Sequence, residues 1–387
     1  MIISIITGSR ADYGLLYWTI RRLSEDPFFK IQICATGMHL SEEFGLTYKE
    51  IEKDGFKIDY KINSLLPSDS GIAISKSIAI GIKKFSDAFE KLKPDLILIL
   101  GDRYEIYSSA ISAMCMGIPI AHCHGGETTE GVIDESIRHS ITKMSHIHFC
   151  STNTYKKRII QMGENPNNIF NVGALGIENI NYLKLLSKKD FEKKIGRSIG
   201  KKSAIVTFHP VTLDKKPSEK HFNNLLEALD YFKDIFLIFT YSNSDRDGRI
   251  INKMIQEFVS KNKFRCVSFK SLGQLNYLSA LKHVDLVIGN SSSGIIEAPA
   301  FKIPTINIGD RQKGRILAES IISCHCDKNE IIKAIKKGLS KEFRNNLKKV
   351  KNPYGNQNSS IEIVSKLKQI KTEKILEKKF FNLKFRQ

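Results

Sequence analysis

The chain has 387 residues, enough for two ordinary domains with a core each. Hydrophobic residues make up 41% and charged residues 26%, a globular balance that excludes a disordered chain, and no apolar run approaches the roughly 20 residues that span a bilayer. The net charge of +19 comes from lysines spread along the chain and thickening from Lys366 to Arg386, with no aromatic–basic motif of an RNA-binding fold. It reads as a solvated surface whose field favours an anionic substrate, with neither nucleic acid nor membrane insertion expected.

The first element is the apolar run Ile2 to Thr7. It lacks a basic leader and a small-residue cleavage site, so it reads as a strand rather than a signal peptide, and a cytoplasmic location is expected. The turn after it, Gly8-Ser9-Arg10-Ala11-Asp12-Tyr13-Gly14, precedes a helical pattern. Its amides and helix dipole suit an anion, and Arg10 adds a planar fork fitted to phosphate. Ser9 and Asp12 could equally be helix caps. The turn is not G-x-G-x-x-G, so the dinucleotide fingerprint fails.

Strands are predicted at 31–36, 57–62, 95–100, 118–121, 146–150 and 168–172, with helices at 75–92 and 104–116 between them. The run 95–100 is continuously apolar and closes in Gly101-Asp102-Arg103, as a buried parallel strand does. The run 118–121 ends in His122-Cys123-His124-Gly125-Gly126-Glu127. Asp134, Glu135, Arg138 and His139 then fall on a probable helix, where Asp134–Arg138 and Glu135–His139 can pair at i, i+4. Carboxylates, imidazoles and guanidinia thus collect at the carboxyl ends of neighbouring strands, the edge where open α/β sheets bind ligands. Core packing does not ask for that chemistry.

A polar, Lys-rich span at 183–202 precedes a second series of strands: 203–208, 235–240, 265–269, 286–289 and 305–308. His209-Pro210-Val211-Thr212 ends the first of these. Gly289-Asn290-Ser291-Ser292-Ser293-Gly294 ends the fourth and opens a helix, with Glu297 one turn in; hydroxyls and free amides there can cradle phosphate. Arg311, after the fifth, is placed to reach the same phosphates. After 352–355 a last helix restarts at 359–379. The expected organisation is an α/β protein of two Rossmann-like domains facing a central cleft: 1–174 for the sugar and acid–base side, 175–355 for the nucleotide side, and 356–387 packing back on the first.

The seven cysteines are scattered. Cys324-His325-Cys326 and His122-Cys123-His124 place ligand types at alternate positions, not at the C-x2-C spacing of metal sites, so no metal is expected.

Taken together and in order, Thr7 to Tyr13, Gly101-Asp102-Arg103, His122 to Glu127, Ile133 to Lys143, His209-Pro210, Gly289 to Ser292 and Gly309-Asp310-Arg311-Gln312 resemble the hydrolysing UDP-N-acetylglucosamine 2-epimerases of sialic-acid-type biosynthesis. The resemblance runs from residue 2 to about residue 320. It implies a glycosyltransferase-B-like fold, release of the nucleotide with the free manno-configured sugar, and no cofactor. It further implies Asp102 as the catalytic aspartate and Asp134 as a second acid. Arg10, Arg103, His209, Ser291, Ser292, Glu297 and Arg311 fall on the substrate- and nucleotide-binding side. His124 stands where many relatives carry Glu, which leaves His124 and Glu127 as two candidates for one acid–base role. The expected substrate is UDP-N-acetylglucosamine; the alternative is UDP- or GDP-linked 2,4-diacetamido-2,4,6-trideoxyglucose, as in legionaminic acid synthesis. A glycosyltransferase and a non-catalytic nucleotide-sugar-binding protein are the alternative classes. A homo-oligomer is expected.

Overall fold

The computed structural model describes residues 1–68, 70–130, 132–211, 218–242, 247–355, 358–371 and 375–383. Their compact units are two: 1–127 with 134–179 and the C-terminal segment from 356, and 128–133 with 180–355. The first unit runs through Asn179, past the division at 174 expected from sequence. Leu175 packs into its core, and Asn179 donates from its side-chain amide to the carbonyl of Gly14 at 3.0 Å.

The first unit holds a parallel sheet of β1 (Ile2–Thr7), β2 (Lys30–Thr36), β3 (Tyr60–Ile62), β4 (Leu96–Leu100), β5 (Ile120–Cys123), β6 (Ile147–Cys150) and β7 (Ile169–Asn171), ordered β3-β2-β1-β4-β5-β6-β7. Strand periodicity sends Ile3, Ile5, Leu96 and Leu98 to one face, against Tyr13, Leu16 and Ile20 of the helix Arg10–Glu25. Ile97, Ile99 and Ile120 face the other way, onto Phe85, Phe89 and Ile106. Each such side chain contributes roughly 1.5–3 kcal/mol on full burial, and two-sided burial is why these strands read as unbroken apolar runs.

The second unit repeats the plan with β8 (Ser203–Thr207), β9 (Phe236–Thr240), β10 (Cys266–Phe269), β11 (Leu286–Gly289), β12 (Thr305–Ile308) and β13 (Ile321–Cys324), ordered β10-β9-β8-β11-β12-β13. β13 was not expected. It is a sheet edge whose residues are half-buried or exposed, so it lacks the apolar signature of its neighbours.

Both sheets reverse strand order at one point, β1 beside β4 and β8 beside β11. The same device sets both junctions: Asp95 accepts the N–H of Ile2 at 2.7 Å, and Asp285 accepts that of Ser203 at 2.9 Å. The crevice outside the strand ends at such a reversal is where these folds take ligands.

The helix expected at 359–379 is shorter: it is Ser359–Lys368 and belongs to the first unit. Ile363, Val364 and Leu367 join the core there, and Ser360 donates to Glu178 at 2.6 Å. Residues 372–374 of the expected helix lie outside the described residues. At 375–383 the polar groups turn to other segments rather than to a helical ladder. Phe381 N–H donates to Gly163 O at 2.8 Å, and Lys378 Nζ to Lys143 O at 2.8 Å and Ser145 O at 2.6 Å. Among the described residues no helix is long and apolar enough to cross a membrane.

Candidate active site

In the first unit the site begins at the end of β4. Gly101 adopts φ +77, a left-handed turn that costs glycine little, and presents Asp102 at the strand end. His122, at the buried end of β5, holds that turn by donating from Nε2 to Gly101 O at 2.7 Å. Burial drives the His122 imidazole pKa down to about 3, so the ring is neutral.

Asp102 meets Arg138 from the helix Asp134–Met144. The guanidinium is fully buried and donates from one nitrogen to Asp102 Oδ2. Its other terminal nitrogen donates to Glu127 O at 2.9 Å and to Glu135 Oε2 at 2.8 Å. Glu135 also pairs with His139 at 3.0 Å, as the helical spacing predicts. Asp134 opens the helix in a half-buried position. Arg138 was legible in sequence only as a helix-surface partner. That it reaches back to the β4 turn depends on β4, β5 and this helix lying side by side.

His124 and Glu127 form a closed pair. Leu175 N–H donates to His124 Nε2 at 3.3 Å, so the ring proton is on Nδ1, which donates to Glu127 Oε1 at 3.1 Å. Ser151 donates to the same carboxylate oxygen at 2.8 Å. His124 takes φ +64, a strain of order 1–2 kcal/mol for a residue with a Cβ, offset by these bonds.

Arg103 is buried and ion-paired with Glu105 at 3.3 Å. Asp12 lies in the same neighbourhood, and its carboxyl pKa is pushed up to about 6. Burial is the main cause; Arg103 opposes it and the Glu105 charge adds to it. Glu105 escaped the sequence reading because a glutamate in the first turn of a helix looks like dipole compensation. Ser9 does cap the first helix, accepting Asp12 N–H at 3.3 Å, and Arg10 is ion-paired with Glu50.

The second unit gathers its motifs around Asn290. Gly289 is at φ +133, and a Cβ there would stand 1.9 Å from Thr207 O, so only glycine lets β11 lie this close to β8. Buried Asn290 then joins three strand ends. Its Oδ1 accepts His209 N–H at 2.7 Å and its Nδ2 donates to His209 O at 2.8 Å. Its carbonyl accepts from Arg311 at 3.2 Å and Gln312 at 2.8 Å. His209 Nδ1 lies 3.2 Å from Ser242 Oγ. Ser291 caps the single turn Ser292–Ile296, accepting Ser293 N–H at 3.4 Å, and both Ser291 and Ser292, the first residue of the turn, are half-buried. Glu297 closes that turn and stands at the N-terminus of the following 3-10 turn Ala298–Phe301, rather than within one longer helix. Thr212 lies outside the described residues. Asn290, Gln312 and Ser242 were not singled out in sequence; Asn290 was detectable as the amide immediately after a strand-closing glycine.

Among the described residues no group of three or more His, Cys, Asp or Glu is gathered as for a metal ion. Cys324 ends β13, and the His122 and His124 rings bond to protein groups of their own.

A profile described as UDP-N-acetylglucosamine 2-epimerase matches residues 21–368. The chain is 47% identical over 344 residues to the GDP/UDP-N,N'-diacetylbacillosamine 2-epimerase (hydrolyzing) of Campylobacter jejuni, covering 89% of each chain. It is 40% identical over 380 residues to polysialic acid biosynthesis protein P7 of Escherichia coli, covering 98% of this chain and 96% of that one. The crystal structure of UDP-GlcNAc 2-epimerase from Neisseria meningitidis bound to UDP-GlcNAc superposes with a TM-score of 0.80 at 18% identity, over 96% of this chain and 100% of that one. At that identity the likeness establishes the fold, two α/β units of glycosyltransferase-B type.

Proposed function

Because this chain belongs to the UDP-N-acetylglucosamine 2-epimerase family, we propose that it is the hydrolysing 2-epimerase of a nucleotide-linked 2,4-diacetamido-2,4,6-trideoxyglucose, releasing nucleoside diphosphate and the free manno-configured sugar. The enzyme class follows from the family; the sugar is our reading. The observation that carries it is the 47% identity over 89% of both chains to a relative named for diacetylbacillosamine. The 40% identity to a polysialic acid biosynthesis protein favours a second reading, UDP-N-acetylglucosamine as substrate.

The chemistry divides between the two sets of residues. The C2 proton is a poor acid until the C1–O bond lengthens and its electron pair moves onto the diphosphate. Arg311 and the Ser291–Ser292 turn of the second unit offer donors to that growing charge. Asp102, at the β4 end, takes the C2 proton, leaving a 2-acetamidoglucal. Water then adds at C1 as a proton returns to C2 on the opposite face, for which Asp134 is the second acid. His124 has both ring nitrogens engaged, and Glu127 carries two donors on one oxygen. We assign this pair to holding the loop between the two acids. Arg10 and Arg103, each paired with a glutamate, and His209 and Glu297 are assigned to the substrate-binding side.

The test is turnover in D₂O with a panel of UDP- and GDP-linked acetamido sugars, followed by proton NMR. A manno-configured product deuterated at C2, formed fastest from a diacetamido substrate, is expected. A gluco product that keeps its C2 proton would mark a simple hydrolase. Preference for UDP-N-acetylglucosamine would select the second reading.

A further inference from the structure

The Asp102 carboxylate is used unequally. Oδ2 accepts the buried Arg138 guanidinium, whereas Oδ1 accepts no hydrogen bond from the described residues, and 24% of the side chain is exposed. Arg138 is 1% exposed and also bonds Glu127 O and Glu135 Oε2. One guanidinium therefore spans the β4 turn, the β5 loop and the first turn of the helix Asp134–Met144. We infer that Arg138 is the positioning residue of the reaction: it locks Asp102 Oδ2, keeps the group a carboxylate and leaves Oδ1 as the proton-accepting oxygen. This rests on the epimerase reading above.

The physical basis is twofold. A planar fork fixes a carboxylate's orientation as well as its charge, which an ammonium does not. An opposite charge at contact distance favours the ionised form of a carboxyl, and Glu135 competes with Asp102 for that charge. The other charged or titratable groups on the described segments around this pair include Arg103, Glu105, His122, His124, Glu127, Asp134, His139 and, on the Gly126 carbonyl, Arg158; His122 is neutral. Arg103 is taken by Glu105, His124 by Glu127 and His139 by Glu135. Arg138 is thus the cation that contacts Asp102 directly.

The test compares Arg138→Met, Arg138→Lys and Glu135→Gln with wild type over pH 3–9, reading kcat, KM and deuterium at C2. Arg138→Met is expected to lower kcat at least tenfold, leave KM within a few-fold, and move the acid limb of kcat/KM up by about one pH unit. Arg138→Lys should restore the limb but only part of kcat, because charge returns without the fork. Glu135→Gln, which keeps Arg138 in place, should move the limb downward, and it decides the matter if Arg138→Met does not fold. An acid limb that stays put in Glu135→Gln and in any folded Arg138 variant, or a Lys variant no better than Met, would overturn the inference. A wild-type enzyme that leaves C2 undeuterated would instead overturn the epimerase reading.

Discussion

Leu175 and His124, far apart in the chain, share one hydrogen bond: the Leu175 backbone N–H donates to His124 Nε2 at 3.3 Å. That bond decides the tautomer of the ring and directs the Nδ1 proton to Glu127. The loop after β5 is therefore held at both imidazole nitrogens, which is what keeps a non-glycine residue at φ +64. Replacing Glu127 by Leu should leave the His124 Nδ1 and Ser151 Oγ donors without their acceptor. The mutant should lose about 1–3 kcal/mol of stability, seen as a lower urea midpoint at unchanged slope; an unaltered midpoint would mean that the pair does not hold the loop.

Asp102→Asn keeps the size of the side chain but removes the base. Turnover should fall about 10²–10⁴-fold, while circular dichroism and thermal unfolding stay close to wild type. A folded mutant within a few-fold of wild-type activity would place the base elsewhere.

Arg311→Ala and Ser291→Ala should weaken binding of the free nucleoside diphosphate. The loss of a charge-assisted donor at Arg311 corresponds to about 1.5–3 kcal/mol, roughly ten- to hundredfold in Kd, and the Ser291 change to less. Titration calorimetry reads both directly. Unchanged affinity in the two mutants would remove the β11 turn from the phosphate site.

Gly289→Ala puts a Cβ 1.9 Å from Thr207 O, a backbone atom held in the sheet. β11 cannot stay paired with β8, and the Asn290 bonds to His209 move with it. A loss above about 4 kcal/mol or failure to fold is expected, with poor soluble yield as the first readout. A mutant with wild-type Tm would refute the packing described for this junction.

Acid should unfold the first unit through identifiable groups. Burial alone would raise the Glu164 pKa, but hydrogen bonds from His148, Lys143 and Lys378 outweigh it and bring it down to about 2, from 4.5. A carboxyl lowered on folding stabilises the fold above its unfolded pKa, and that share is lost as pH falls from about 4.5 toward 2. His122, neutral down to about 3 because it is buried, works over a higher window. Its share is complete above 6.5 and is lost as pH falls from there toward 3. Lys378→Met should take away one of the three donors to Glu164 and raise the pH of the acid transition followed by circular dichroism. An unmoved transition would show that the C-terminal segment does not bear on Glu164.

Strand–helix alternation, parallel sheets and the loaded strand ends were all readable in the residues. Buried parallel strands must be continuous apolar runs, and the polar residues that close them must do something other than pack. Hence the Asp102 turn, the serine turn and the Arg311 loop could be picked out as candidates from the chain alone, while β13, half-exposed at a sheet edge, could not be seen. The partners were decided by the tertiary structure. Arg138 meets Asp102 only because β4, β5 and the helix Asp134–Met144 are neighbours, and the tautomer of His124 depends on an amide at Leu175. Periodicity is a local property, imposed by the burial of each segment. The choice of hydrogen-bond partner for a buried polar group is not local, because it depends on which strand ends the sheet order places side by side.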